Sequence, residues 1–331
     1  MKKIKYLLFI IAVLASTICN AQNYIKKIEE KFADQIIRYK YVMVENYQFN
    51  EIWSLVPDFK TYNILLKTDN GFFVYHPNGN LSSVAVPTWS ASSGPKNFSN
   101  EFLGGETMDR PCYWENKIHQ YEYIIPKELE KYKGEICFIS KNKKIFAGNF
   151  LCKLNDKNHI CGFIYNDNTK ETQYIVPNSK HDNFLYSKIC QSNANGTLFC
   201  GVYMGKPAIF QYNQKKVRVF NWEENGYFAG MNSDASILFG KCNKSPCFWI
   251  KNGDKYVKKS LQSLILERKL DRLKTMSLRI AYVSNDKKAI VVSIDSSYEP
   301  NAQAFGNDST RLSTDEWIYK IQLKLPLQVN R

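Results

Sequence analysis

No stretch of the 331-residue chain is long and apolar enough to cross a bilayer as a stable helix, which takes about 20 residues. The one marked apolar run goes from Tyr6 to about Ala15 and is too short. It follows the basic Met1-Lys2-Lys3-Ile4-Lys5 and precedes Ser16-Thr17-Ile18-Cys19-Asn20-Ala21. That order reads as a secretory signal over residues 1–21, cleaved after Ala21. The expected location is therefore secreted, periplasmic or extracellular. The alternative is a lipid anchor on Cys19, although Ile18 stands where lipoprotein signals carry a small side chain.

Catalytic signatures are also lacking. The four histidines, His76, His119, His159 and His181, are scattered, with no His-Glu-x-x-His pair and no Gly-x-Ser-x-Gly elbow. There is no phosphate-cradling glycine loop and no dinucleotide fingerprint. Catalytic residues stay unassigned, and no metal or cofactor is expected. The carboxylates Glu223, Glu224 and Asp295 carry no distinguishing context, while Asp234 and Asp286 are expected to cap turns. His76 is expected in a turn and His159 at the surface. Asp295, Glu299, Asn301 and Asp308 share a polar loop whose spacing matches no calcium loop.

Acidic residues are in short supply: 31 against 45 Lys and Arg, a net charge of +14. Cleavage removes three lysines and no acid, leaving +11. Such a balance suits acidic partners such as polyanions and glycans, and also follows from lysine-rich coding bias alone. The candidate polyanion-binding residues are Lys143, Lys144, Lys215, Lys216, Arg218, Lys258 and Lys259.

What the chain does have is a repeat. Short apolar strands ending in Gly alternate with aromatic strands and polar turns. Gly104, Gly148, Gly201 and Gly240 mark successive copies, 44, 53 and 39 residues apart. The clearest copy reads Ser233-Asp234-Ala235-Ser236-Ile237-Leu238-Phe239-Gly240, then Cys247-Phe248-Trp249-Ile250. Phe, Tyr, Ile and Val suit pleated, half-buried strands, and units this small must stack to bury them. The predicted fold is all-β, a β-propeller-like array of about six to seven units; the alternative is an irregular β-sandwich. Ile25, Ile28, Phe32, Ile36 and Ile37 recur at helical spacing and predict a short N-terminal helix over residues 24–41. The expected divisions are the signal 1–21, the helix and a lead-in strand over 22–56, the repeat domain 57–325 and a tail 326–331. A second helical pattern runs through Leu261, Leu264, Ile265 and Leu273.

The 233–250 copy resembles the HAF-type repeats of bacterial extracellular proteins. The resemblance extends over most of residues 60–323 and implies an extracellular, propeller-like fold with no established chemistry. The chain departs from that pattern at the turn glycine, present only at Gly196 and replaced by Lys143 or Lys144, Ala235 and Lys287.

Eight cysteines remain after cleavage, an even number that reads as disulfides in an exported chain. Four nearest-neighbour bridges are expected: Cys112–Cys137, Cys152–Cys161, Cys190–Cys200 and Cys242–Cys247. Zinc is disfavoured, because Cys242-x4-Cys247 has no second ligand pair nearby. Asn-x-Ser/Thr sequons start at Asn80, Asn97, Asn195, Asn243 and Asn307. The functional expectation is a non-catalytic binding protein that uses a propeller face for a polyanion, glycan or protein. The alternative is an exported polysaccharide- or glycoconjugate-active hydrolase or lyase.

Overall fold

The computed structural model describes residues 25–43, 52–87, 93–117, 120–154, 157–176, 186–212, 216–219, 225–294 and 316–328. The signal segment with Cys19 lies outside them. So do Lys215, His119, His181, Glu223, Glu224, Asn307 and the polar loop of Asp295, Glu299, Asn301 and Asp308.

Among the described residues five four-stranded antiparallel units and one five-stranded unit follow one another. Unit I holds β3 (Ile52–Pro57), β4 (Ile64–Thr68), β5 (Gly71–Tyr75) and β6 (Leu81–Val84). Unit II holds β7 (Gly94–Ser99), β8 (Phe102–Thr107), β9 (Arg110–Lys117) and β10 (Gln120–Ile124). Unit III holds β11 (Lys133–Ile139), β12 (Ile145–Leu154), β13 (Lys157–Asn166) and β14 (Glu171–Ile175). Unit IV holds β15 (Ser187–Ser192), β16 (Leu198–Tyr203), β17 (Lys206–Gln211) and β18 (Lys216–Val219). Unit V holds β19 (Gly226–Met231), β20 (Ile237–Cys242), β21 (Ser245–Asn252) and β22 (Lys255–Ser260). Unit VI holds β23 (Leu278–Val283), β24 (Ala289–Ile294) and β25 (Ile318–Gln322), completed by the N-terminal strands β2 (Ile36–Met43) and β1 (Ile25–Ala33).

The core shows that the units close into a ring. Strand side chains alternate between faces, so each sheet offers one apolar layer to each neighbour. In β16, Phe199 packs with unit III while Cys200 packs with unit V. Leu103 and Trp114 of unit II meet Val56 and Val74 of unit I, whose Leu55 and Ile64 meet Tyr39 and Val291 of unit VI. Phe239 and Phe248 of unit V meet Ile280 and Val292 of unit VI, and Tyr113 of unit II meets Phe146 of unit III. Every neighbouring pair, VI with I included, thus shares a buried layer, which is a six-bladed β-propeller and excludes the sandwich. Units I and II are further joined at their outer strands, where β6 runs parallel to β10.

The N-terminal segment corrects the helix expected over residues 24–41: residues 25–43 contribute an antiparallel hairpin, and β2 pairs with β25. The helical spacing was accidental. Ile36, Tyr39 and Tyr41 are β-branched or aromatic, and unit VI has only three C-terminal strands to which β2 adds hydrogen bonds and a buried layer. The two chain ends thereby share one sheet, so the ring begins before residue 57. The pattern at residues 261–273 does form helix: α1 (Leu261–Glu267) is N-capped by Ser260, whose Oγ accepts from the Ser263 N–H at 2.9 Å. Leu261, Leu264 and Ile265 bury against units V and VI, and a 3-10 turn (Asp271–Leu273) adds Leu273.

Candidate functional site: an axial cleft on the turn face

The innermost strand of each unit carries one extra residue. The register slips between Ile52/Ser54, Pro95/Asn97, Ile136/Phe138, Ile189/Gln191, Phe228/Gly230 and Ile280/Tyr282. The bulged residues are therefore Trp53, Lys96, Cys137, Cys190, Ala229 and Ala281. A bulge leaves backbone groups outside the ladder, and here the preceding unit takes them up. Asn97 Nδ2 donates to the Cys137 carbonyl (2.7 Å), and Gln191 Oε1 accepts from the Met231 N–H (2.7 Å). The repeat glycines sit across from these bulges: a Cβ on Gly148 would lie 1.9 Å from the Glu135 carbonyl oxygen, and one on Gly201 1.9 Å from that of Lys188.

The turn after the inner strand is equally regular. Ser140, Asn193, Asn232 and Ser284 accept through their side chains from the N–H groups of Ile145, Leu198, Ile237 and Ala289. Three residues on, Lys143, Gly196, Ala235 and Lys287 have φ of 54°, 66°, 55° and 61°. The left-handed position thus falls on Lys143 rather than Lys144. Asp234 and Asp286 cap these turns, accepting from the N–H groups of Ser236 and Lys288.

At this turn end of the axis lies a cleft of about 840 Å³, lined from units I, II, III, IV and VI. Phe59 and Tyr282 stack at its rim, ring centroids 5.7 Å apart at 26°. Lys60, Glu101 and Lys141 are exposed around it, and the bulged Cys137 and Cys190 form its buried end. His76 also lines the cleft, with Nδ1 3.1 Å from Asn63 Oδ1 and Nε2 2.9 Å from Ser82 Oγ. Both ring nitrogens are engaged, as suits a turn residue.

Beyond Cys137 sits a buried charged cluster. Lys96 Nζ lies 3.1 Å from Glu106 Oε1 and 3.5 Å from Glu135 Oε2, and the two carboxylates are 3% and 1% exposed. Asn149 Nδ2 donates to Glu135 Oε1 (3.0 Å) and to Cys137 Sγ (3.2 Å), and the Cys137 thiol donates to Glu135 Oε1 (3.5 Å). Burial, helped by the nearby Glu135 charge and opposed by Lys96, pushes the Glu106 carboxyl up to about 7. Burial opposes the charge on Lys96, but Glu135 and Glu106 raise its pKa overall. Burial likewise pushes the Cys137 thiol well up and that of Cys190 up to about 11. Lys96, Glu106 and Glu135 were missed by sequence reasoning, since no motif spacing links them. The only available signal was a charge inside an otherwise apolar strand.

The structure scatters the predicted basic residues. Lys143 and Lys144 lie in the inner turn of unit III, beside the cleft. Lys143 Nζ is bound to Glu115 Oε1 at 2.8 Å. Lys216 and Arg218 belong to β18, and Lys216 pairs with Gln211 at the same turn end. Lys258 and Lys259 lie farther along β22, opposite Trp249 and Phe248. There Lys258 Nζ is 3.8 Å from Cys242 Sγ, and Lys259 pairs with Glu267.

Among the cysteines, the Cys152 and Cys161 Sγ atoms lie 2.6 Å apart. Cys242 and Cys247 hold the same diagonal in their own hairpin, with Cys242 opposite Ser245 and Cys247 opposite Gly240. Cys200 faces Gln191, next to the bulged Cys190. Cys112 and Cys137 lie on neighbouring units and are both buried. His159 corrects the expectation of exposure: it is 2% exposed and stacks on Tyr186 with centroids 3.9 Å apart. The flat apolar faces of that pair are buried together at the unit III edge. Among the described residues no three His, Cys, Asp or Glu side chains are grouped to hold a metal ion. No helix among them is long and apolar enough to cross a membrane.

No family model and no curated protein matches the chain. Among solved structures it is similar to a streptogramin B lyase, at 9% identity and TM-score 0.46, covering 91% of this chain and 98% of that one. A gluconolactonase of Xanthomonas campestris gives 8% identity and TM-score 0.46, covering 89% and 94%. An extracellular domain assigned to a one-component system of B. thetaiotaomicron gives 10% identity and TM-score 0.43, and this chain covers 38% of its length.

Proposed function

We propose that the chain is an exported binding protein, not a catalyst, whose ligand seats in the axial cleft on the turn face. The observation that carries this reading is the convergence of turns from units I to IV, with the inner strand of unit VI, on one opening of about 840 Å³, the size range of small-ligand sites. The polar groups there are anchored to neighbouring blades, His76 is tied at both ring nitrogens, and burial pushes the Cys137 thiol beside Glu135 well up, which disfavours it as a nucleophile. Export is supported by the basic–apolar–small order of residues 1–21, by the even cysteine count after cleavage, and by the likeness to HAF-type extracellular repeats. Cleavage after Ala21 is the reading adopted over acylation of Cys19.

A second ligand class, the polyanion, is favoured by the net charge of +14 and by Lys141, Lys143 and Lys144 beside the cleft. Residues 22–331 run on heparin–agarose and on a sulfonate exchanger at matched salt test it. Later elution from heparin, abolished by Lys141→Glu with Lys144→Glu, supports an organised basic rim, and equal elution removes polyanions from consideration. Release of new reducing ends from polysaccharide by the same protein would overturn the non-catalytic reading in favour of a hydrolase or lyase.

A further inference from the structure

Four of the carboxamides that line the cleft, Asn63, Asn97, Asn100 and Gln191, are each held at one end by the protein. Asn63 Oδ1 meets His76 Nδ1 at 3.1 Å, and Gln191 Oε1 accepts from the Met231 N–H at 2.7 Å. Asn97 Nδ2 donates to the Cys137 carbonyl at 2.7 Å, and Asn100 Nδ2 to that of Ile139 at 2.6 Å. The other ends of three of them, the NH2 groups of Asn63 and Gln191 and the carbonyl oxygen of Asn100, have no partner among the described residues. Asn97 Oδ1 is buried without a partner and lies out of a ligand's reach, so Asn97 serves to hold the Cys137 carbonyl. These amides are fixed before any ligand arrives, so little ordering entropy is lost on binding.

Resting on the cleft as the ligand site, we propose that it recognises an uncharged oligosaccharide, read by Asn63, Asn100 and Gln191 with a sugar ring packed against Phe59 and Tyr282. Sugar hydroxyls donate and accept at once, and so satisfy fixed donors and fixed acceptors together. The half-buried Phe59–Tyr282 stack offers an apolar surface for the C–H face of a pyranose. Lys60 and Lys141 are interspersed with Asp58, Glu101 and Glu115, so no single-sign field selects an ion. An extended peptide needs an open strand edge, whereas the inner-strand groups freed at the Cys137, Cys190 and Ala229 bulges are already taken by Asn97, Asn149 and Gln191.

The test uses residues 22–331, immobilised tetrasaccharides of glucose, galactose, mannose and N-acetylglucosamine, and their sulfated counterparts. Gln191→Glu and Asn63→Asp keep the anchoring oxygen and replace the outward NH2 with a carboxylate oxygen, so an unchanged Tm shows that the fold is kept. The expected result is binding of at least one neutral tetrasaccharide, weakened tenfold or more by each substitution and by Phe59→Ala. Binding of sulfated sugars alone, if still sensitive to Gln191→Glu, overturns this inference while leaving the cleft as the ligand site. Capture of a peptide with the same sensitivity does likewise. Neutral-sugar binding indifferent to all three substitutions overturns the inference and the cleft reading together.

Discussion

Asn149 in β12 holds Ile189 of the next blade by both of its backbone groups: Oδ1 accepts from the Ile189 N–H at 2.7 Å, and Nδ2 donates to the Ile189 carbonyl at 3.1 Å. Asn149 is fully buried, and its Nδ2 also reaches Glu135 and Cys137. One carboxamide therefore joins unit III, unit IV and the charged cluster. Asn149→Ala leaves a buried N–H, carbonyl and carboxylate short of partners, each costing about 1–3 kcal/mol. The expected loss is roughly 3 kcal/mol or more by urea denaturation. A loss under about 1 kcal/mol would mean that water replaces the amide without penalty.

Gly201→Ala and Lys287→Gly are expected to shift stability in opposite directions. Gly201→Ala sets a Cβ against the Lys188 carbonyl oxygen at 1.9 Å, where rigid backbone must move. A loss of about 2–3 kcal/mol is expected, in the range for overpacked cores. Lys287 has φ 61°, so Lys287→Gly removes left-handed strain of roughly 1 kcal/mol, partly offset by added freedom in the unfolded chain. A small rise in Tm is the expected reading, and a fall would show that the lysine side chain outweighs its backbone strain.

Glu106 gives a pH signature. Its folded pKa of about 7 lies above the usual carboxylate value, so the folded state binds the proton more tightly than the unfolded one. Its contribution to stability is complete below about pH 4.5 and is lost as pH rises through about 7, up to roughly 3 kcal/mol. Glu106→Gln removes that loss. Plotted as variant minus parent, the unfolding free energy should rise across this window; a flat difference would show that Lys96 fully compensates the buried charge.

Non-reducing peptide maps of residues 22–331 produced in an oxidising compartment test the proposed bridges. Cys152–Cys161 and Cys242–Cys247 occupy the same diagonal in equivalent hairpins and are expected to cross-link, with Cys190–Cys200 and Cys112–Cys137 completing the nearest-neighbour scheme. Each closes a loop short enough to contribute on the order of 2–3 kcal/mol. A Cys137–Cys190 cross-link between the two cleft thiols would break the scheme at two bridges.

The repeat was legible because its cause is local. Gly148, Gly201 and Gly240 recur where a bulged inner strand approaches too closely for a Cβ, and Ser140, Asn193, Asn232 and Ser284 recur where a turn needs a side-chain acceptor. Such requirements repeat with every blade and leave a period that a sequence displays. Helix α1 was legible for a similar reason, since its apolar stripe and serine cap lie within a few residues of one another.

The helix expected over residues 24–41 failed because spacing along the chain does not show strand pairing. β2 pairs with β1 on one side and with β25, from the far end of the chain, on the other, so Ile36 and Tyr39 lie inside the sheet that closes the ring. The cleft and its charged cluster were invisible for the same reason: Lys96, Glu106 and Glu135 meet only where neighbouring blades converge on the axis. The sequence by itself determined the β-repeat and its turn chemistry, both set by neighbours along the chain. The tertiary structure decided the blade count, the closing strand and the amides that face the cleft, because those depend on which blades the ring brings side by side.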